Sequence, residues 1–209
     1  MARDYGTARG YPNESEYTYV KVDFYNNIAT YLSELENTKI RSLADIVAYN
    51  DDNDGSEGGY PGIHPAFGSG QDGFLASLAT GGVMDSTYWE ALAFCQQSTR
   101  DGGIDAALKH GSGTLDALLV PPDVGQSYQI AAQAGYPVIT LPAYVHSLSG
   151  MPFGLALLNT AFSEATLIKY ASAIEDLQAT SGTKYQRTMP QWEGYLDRVI
   201  PLANQCFGC

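Results

Sequence analysis

The chain has 209 residues, with 23 acidic against 11 basic side chains and a formal charge of −12. That balance argues against nucleic acid and anionic membrane surfaces as partners, because phosphate recognition needs clustered Lys and Arg and the basic residues here are scattered. Apolar residues make up 44% and charged ones 16%, which excludes a disordered chain and allows one ample domain with a sizeable core.

Residues 1–18 are polar and lack the apolar run, roughly 7–15 residues long, of a signal peptide. Asn13-Glu14-Ser15 is a glycosylation sequon that matters only in a secretory protein, and nothing in the sequence fixes the compartment. From Val22 to Glu36, Phe24, Ile28, Leu32 and Leu35 recur at helical spacing and predict an amphipathic helix. Ser42 to Tyr49 opens with a Ser-x-x-Asp cap and predicts a second, short one. The Gly/Asn/Asp cluster "NDDNDGSEGGYPG" breaks regular structure. A short apolar helix is expected over Gly73–Ala79, and Thr87-x-x-Glu90 reads as the capping box of a longer helix reaching about Arg100. Gly102-Gly103 ends or interrupts that helix, and Ile104–Leu108 adds one more turn.

Three apolar runs follow: Leu115–Val120, Val138–Leu141 and Phe153–Leu158. Continuous apolarity, rather than alternation, predicts strands buried on both faces. A last helix, capped by Ser163, is expected to run to about Leu177 with Leu167, Ala171 and Ile174 on one face. Residues 179–209 read as an irregular tail in which Trp192, Tyr195 and Leu196 pack as a strap. Strands flanked by helices make the chain α/β. Three short core strands are few beside the ~5–6 of a usual sheet, so the sheet looks like part of a larger one. No run of about 18 apolar residues exists to span a membrane.

Several chemical constellations fall short of a site. In the acidic loop, Asn50, Asp52 and Asp54 match the first ligands of a calcium loop when Gly55 takes the sharp turn. Pro61, however, stands where the bidentate Glu belongs, and a solvated turn fits better. Cys206-x-x-Cys209 has metal-ligand spacing, but the only other cysteine is Cys95 and a structural zinc needs four ligands. No metal or other cofactor is expected. Gly-x-Ser-x-Gly occurs nowhere. His64, Ser69 and Asp72 share one turn-rich loop, which suits capping and packing better than a triad. By the residues alone, no catalytic group can be assigned.

Three stretches together resemble a known family. They are "LDALLVPPDVGQSYQIAAQAGYPVITLPAY", "GMPFGLALLNTAFSEATLIKYASAIED" and the upstream region from "DFYNNIATYL" to "DGGIDAAL". In this order they are similar to the C-terminal half of amidase-signature hydrolases, the fungal amidase type in particular, over about Tyr19–Gln178. The resemblance implies a large mixed sheet flanked by helices, of which residues 19–178 are a part, and hydrolysis of linear amide C–N bonds. It also implies a Ser–cis-Ser–Lys catalytic set held by a glycine- and serine-rich signature. This chain has no "GGSSGG"-like segment and no adjacent serine pair. Lys21, Lys39, Lys109, Lys169 and Lys184 match none of the catalytic lysine context. No catalytic residue carries over, and the chain is expected to be inactive alone.

What remains is a pocket wall. In open α/β sheets, ligands bind beyond the carboxyl ends of strands. The candidates there are Pro122, Asp123, Gln126 and Tyr144: Asp123 to meet an amine or amide N–H, Gln126 an amide, and Tyr144 a flat apolar group. Each also has an ordinary loop reading, with proline ending a strand, Asp123 capping a turn and Gln126 starting a helix. Two functions stay open. One is the C-terminal portion of an amidase, taking a small amide substrate once an N-terminal half completes it. The other is a stand-alone binding protein on the same scaffold. In the first case a partner chain or a second copy is expected to cover the open sheet.

Overall fold

The computed structural model describes residues 10–53, 68–111, 113–122, 127–145 and 152–180. Two compact units divide the chain, one running to Leu92 and the other starting at Ala93.

In the first unit a 3-10 turn, Pro12–Glu14, leads into helix α1, Glu16–Glu34. The helix begins well before Val22 because Tyr19 and Val22 extend the apolar stripe by another turn, and both are buried with Thr18 and Leu32. The Thr18 hydroxyl donates to the Pro12 carbonyl at 2.6 Å and anchors that extra turn. The other end is closed by Arg41, whose Nη1 donates to the carbonyls of Leu32 at 2.9 Å and Leu35 at 2.7 Å. A cation there also suits the negative end of the helix dipole.

Helix α2, Leu43–Asp52, has the capping box read from the sequence. The Asp45 N–H donates to Ser42 Oγ at 3.1 Å, and the Arg41 N–H donates to Asp45 Oδ2 at 2.9 Å. Helix α3, Asp72–Leu78, is tied to α2 by the buried side chain of Gln71. Its Nε2 donates to the Val47 carbonyl at 3.2 Å and to Asp51 Oδ1 at 2.6 Å, while Asn50 Nδ2 donates to Gln71 Oε1 at 3.2 Å. Phe74 stacks on Phe24 of α1 with centroids 5.5 Å apart.

Helix α4, Ser86–Thr99, crosses the division between the units. Its cap is Asp85 rather than the expected Thr87: the Tyr88 N–H donates to Asp85 Oδ1 at 2.9 Å. Asp85 precedes the Thr-x-x-Glu box, and a carboxylate there also answers the helix dipole. A π-helical turn, Arg100–Ile104, and a short helix α5, Asp105–Leu108, continue from it. Gly102-Gly103 thus widens the helix instead of ending it. A Cβ on Gly103 would lie 2.9 Å from the Ser98 carbonyl oxygen, so only glycine permits the wide turn.

The second unit holds a small hairpin, β1 Lys109–His110 and β2 Gly113–Thr114, which the sequence reading missed. Its main sheet has strands β3 Leu118–Val120, β4 Val138–Val145 and β5 Pro152–Leu158, in the order β3-β5-β4 with both pairings antiparallel. Helix α6, Ser127–Ala134, lies between β3 and β4 in sequence, and α7, Glu164–Thr180, follows β5.

Opposed residues share a face, and each face of the sheet has its own cover. On one, Leu158 packs with Ile104, Leu108, Ala131 and Ala134, with Leu118 and Val120 against them. On the other, Leu141 and Leu157 pack under Leu167 and Ala171 of α7. Burial on both faces therefore holds for the end of the central strand β5, where Ala156, Leu157 and Leu158 are all buried. The flanking strands are covered on one side at a time: Leu119 of β3 and Val138 of β4 are exposed. An expected stack of doubly buried strands becomes one such strand between two half-covered ones.

Candidate functional site

Because β3 and β4 both run antiparallel to β5, they are parallel to each other, and their carboxyl ends emerge at one end of the sheet. This is where the sequence places a pocket wall. Strand β3 stops at Val120, opposite Ala156, because Pro121 and Pro122 have no N–H to continue the ladder. Strand β4 continues to Val145, with its last pairings Tyr144 to Phe153 and Val145 to Pro152. The two strand ends lie opposite Ala156 and Pro152 of β5, four steps apart, or about 13 Å at the usual strand rise.

Pro142 sits inside β4, which is tolerable because that strand is at the edge among the described residues. The register shifts between Pro142 and Tyr144, a bulge of the kind that re-aims strand ends. Gly154, opposite Pro142, meets a close backbone: a Cβ there would lie 2.8 Å from the Leu141 carbonyl oxygen.

Of the four wall residues, Pro122 is in the turn after β3. Tyr144 belongs to strand β4 itself and not to the segment after it, a correction to the expected strand end at Leu141. The apolar run ends at Pro142, but the ladder with β5 resumes beyond the bulge. Asp123 and Gln126 lie outside the described residues, just ahead of α6 at Ser127. The structure thus brings Pro122 and Tyr144 to the same end of the sheet.

Other candidates are used structurally. Asn50 and Asp52 lie within α2, and Asn50 commits its amide to Gln71. Asp54, Gly55 and Pro61, along with His64, His146, Cys206, Cys209 and the expected strap residues Trp192, Tyr195 and Leu196, are outside the described residues. Asp72 Oδ1 accepts from the Gly73 N–H at 2.8 Å at the start of α3. Among the described residues no three His, Cys, Asp or Glu side chains gather to hold a metal. No described helix is long and apolar enough to cross a membrane.

Among the described residues, the tyrosines with shifted acidity are pushed upward. The Tyr88 hydroxyl donates to Asp23 Oδ1 at 2.8 Å, and burial, reinforced by that carboxylate, pushes its pKa up to about 12. Tyr136 is raised by its 2.7 Å hydrogen bond to Asp105 Oδ2, and Tyr170 by its hydrogen bond to Asp116. A phenol held in its protonated form beside a carboxylate is a fixed donor, which makes it a positioning group and a poor nucleophile.

A cavity of about 260 Å³ in the first unit is lined by residues including Thr18, Lys21, Val22, Asp85 and Tyr88. It combines segments remote in sequence, so no local motif marks it. Asp85 is already committed as the cap of α4, Thr18 to Pro12, and the Lys21 ammonium lies 5.3 Å from the Tyr17 ring centroid.

No family model matches the chain. A Schizosaccharomyces pombe protein named as an amidase is 51% identical over 92% of this chain and 33% of its own length. An Arabidopsis thaliana protein also named as an amidase is 32% identical over 76% of this chain and 28% of its own length. The crystal structure of a peptide amidase from Stenotrophomonas maltophilia superposes with a TM-score of 0.62 at 28% identity, covering 83% of this chain and 34% of that one. An amidase family protein from Bacillus anthracis, 20% identical over 78% of this chain and 29% of its own, shares the fold with a TM-score of 0.58. The chain spans about a third of the length of the curated relatives it matches.

Proposed function

We propose that this chain, a relative of the amidases over about a third of their length, is the C-terminal portion of an amidase-signature hydrolase of the fungal amidase type. The similarity to part of an amidase rests chiefly on one observation, the 51% identity that runs through 92% of the chain. In this reading the three-stranded sheet belongs to a larger one, and its strand ends form one wall of the site where a linear amide C–N bond is cleaved. Pro122 and Tyr144 line that wall, with Asp123 and Gln126 from the segment leading into α6. Asp123 meets the amide or amine N–H, Gln126 pairs with an amide group, and Tyr144 faces the apolar part of the substrate.

The nucleophile and its base come from a segment that this sequence does not contain. A serine made nucleophilic through a second serine and a lysine needs all three in one relay. The tyrosines with shifted acidity here are raised instead of tuned toward neutrality.

The test is reconstruction. The segment of the S. pombe relative that matches this chain is replaced by it, and the fusion is assayed on simple aryl and aliphatic amides beside the chain alone. The expected result is turnover by the fusion and none by the chain. Turnover by the isolated chain, or a folded fusion without any, overturns the reading. In an active fusion, Tyr144→Ala is expected to raise KM about 10-fold with a smaller change in kcat, as loss of ground-state contact requires.

A further inference from the structure

The π-helical turn Arg100–Ile104 does more than accommodate two glycines. Its defining bond runs from the Asp105 N–H to the Arg100 carbonyl, five residues back. That bond sets Asp105 one turn beyond Arg100 on the same side, whereas residues five apart in a regular α-helix point about 140° away from each other. Wide turns of this kind are frequent at functional sites.

Both side chains reach one place, the junction between α6 and β4. Arg100 Nε donates to the Ala134 carbonyl at 2.7 Å, and a Cβ on Gly135 would lie 3.7 Å from Arg100 Nη2, so the guanidinium covers the last turn of α6. Asp105 Oδ2 accepts from the Tyr136 hydroxyl at 2.7 Å, and the Thr160 side chain after β5 bonds the same hydroxyl. The helix closes with a Schellman pattern: the Tyr136 N–H donates to the Ala131 carbonyl and the Gly135 N–H to that of Ala132, both at 3.1 Å. The Ala134 carbonyl takes no part in that pattern and is met by Arg100, a cation that suits the negative end of the helix dipole.

Helix α6 needs such a hold. It has eight residues, and its buried ones, Ala131 and Ala134, cluster with Ile104 of the π-helical turn. Two methyl groups bury little apolar area, and a helix this short does not persist by itself in water. At its other end, four residues separate Ser127 from Pro122, which follows β3 at the carboxyl end of the strand. Eight residues make a rod about 12 Å long. What fixes its last turn therefore also fixes where its first turn stands.

We propose that Arg100 is a positioning residue of the site: with Asp105 beside it, it latches the junction of α6 and β4, and so holds the opposite end of α6 at the strand ends where Pro122 stands. This rests on the reading of those strand ends as the wall of an amide site. A shift of about 1 Å in such a wall, caused by a change far from the chemistry, can cost up to about 100-fold in rate.

Arg100→Met keeps the apolar stem and removes the donor. In the fusion with the remainder of the S. pombe relative, assayed where circular dichroism shows it folded, this variant is expected to raise KM about 10-fold with a smaller change in kcat. Gln71→Leu, which removes buried hydrogen bonds from the first unit, is expected to lower stability and leave KM within about 2-fold. A folded Arg100→Met fusion with unchanged KM overturns the proposal. So does a Gln71→Leu fusion whose KM rises equally, since KM would then follow stability alone.

Hydrogen exchange of the chain itself reads the latch without any turnover. Arg100→Met is expected to speed exchange of the α6 amides at least about 10-fold and leave β4 and β5 protected. Tyr136→Phe, which removes only the hydroxyl that meets Asp105, is expected to move both readouts the same way by less. Exchange in α6 that neither variant alters overturns the proposal, as does a loss spread evenly over the second unit. An inactive parent fusion removes the proposed function and leaves the latch to stand or fall by exchange. An active one whose α6 exchange is indifferent to Arg100 does the reverse.

Discussion

The two units are held together by different physics. Among the described residues, the first buries Ser15, Thr18, Asn50, Gln71 and Ser77 alongside its apolar groups, whereas the second buries only Thr99 and Asn159 among polar side chains. The helices of the first unit are joined by directional contacts: the Gln71 hydrogen bonds, the Phe24–Phe74 stack and the Tyr88–Asp23 pair. The second relies on two apolar layers, one on each face of the central strand. Apolar layers arise from runs of residues and can be read from a sequence. Directional contacts join single residues far apart and cannot.

The comparison is broken most directly at Leu157. This side chain is 4% exposed and packs under Leu167 and Ala171. Leu157→Ala is expected to cost about 2–5 kcal/mol, the usual range for a buried leucine whose cavity does not collapse. Urea unfolding followed by circular dichroism measures it, and a loss below about 1 kcal/mol would mean that the sheet core is not what holds the second unit.

Gln71→Leu is the counterpart in the first unit. It keeps the volume but removes the donors to Val47 and Asp51 and the acceptor for Asn50. Groups left unpaired in a buried site set the cost, about 1–3 kcal/mol. Hydrogen exchange should show the loss in α2 and α3 and leave β4 and β5 protected. Uniform loss across both units would show that they unfold as one.

Tyr88→Phe sharpens the contrast through pH. The folded-state pKa of about 12 stands above the ordinary 10 of a free tyrosine. The stabilisation is therefore fully present below pH 10 and disappears as pH rises through the folded value. The variant is expected to lose about 0.5–1.5 kcal/mol at neutral pH. Its difference from the wild type should shrink across the alkaline window. Phenolate absorbance should show a titration near the folded value of about 12 in the wild type that is absent from the variant, while Tyr136 and Tyr170 stay raised in both.

What the sequence made legible follows the same division. The runs 138–141 and 153–158 correctly mark β4 and β5, because strands that form a core must be apolar whatever their neighbours. The scarcity of strands was legible for the same reason. The cover of each strand was not: Leu119 and Val138 are as apolar as Leu157, and only the placement of α6 and α7 decides which of them meets water. The end of β4 was misjudged because Pro142 reads as a stop, while an edge strand needs no N–H on its outer side and the bulge restores pairing.

Of the candidate wall, Pro122 and Tyr144 share the expected end of the sheet through the parallel course of β3 and β4, which the general rule for strand ends anticipates. Phe162, with a left-handed φ of +58°, gave no warning, since nothing in "NTAFSEA" marks an aromatic residue for positive φ. The cavity beside Lys21 and Tyr88 was equally silent, being assembled from separate segments.

Local capping was the polar feature that could be read, and it provides the finest test. Ser42-x-x-Asp45 forms the reciprocal box that its spacing predicts. The Arg41 backbone N–H, helped by the Ser42 side chain, holds the Asp45 carboxyl below its ordinary value of 3.8. A lowered folded-state pKa contributes stability above the unfolded value and loses it as pH falls through the folded one. Asp45→Asn should therefore be less stable than the wild type near neutrality by a constant margin, and that margin should narrow once the pH drops below 3.8. Because the group is at the surface, the margin should be the smallest of the four and shrink further with added salt. Acid titration of both proteins, followed by circular dichroism, measures it. A margin that stays constant into the acid range would show that Asp45 acts as a neutral acceptor. The box would then hold by hydrogen-bond geometry alone, in the manner of the Gln71 contacts.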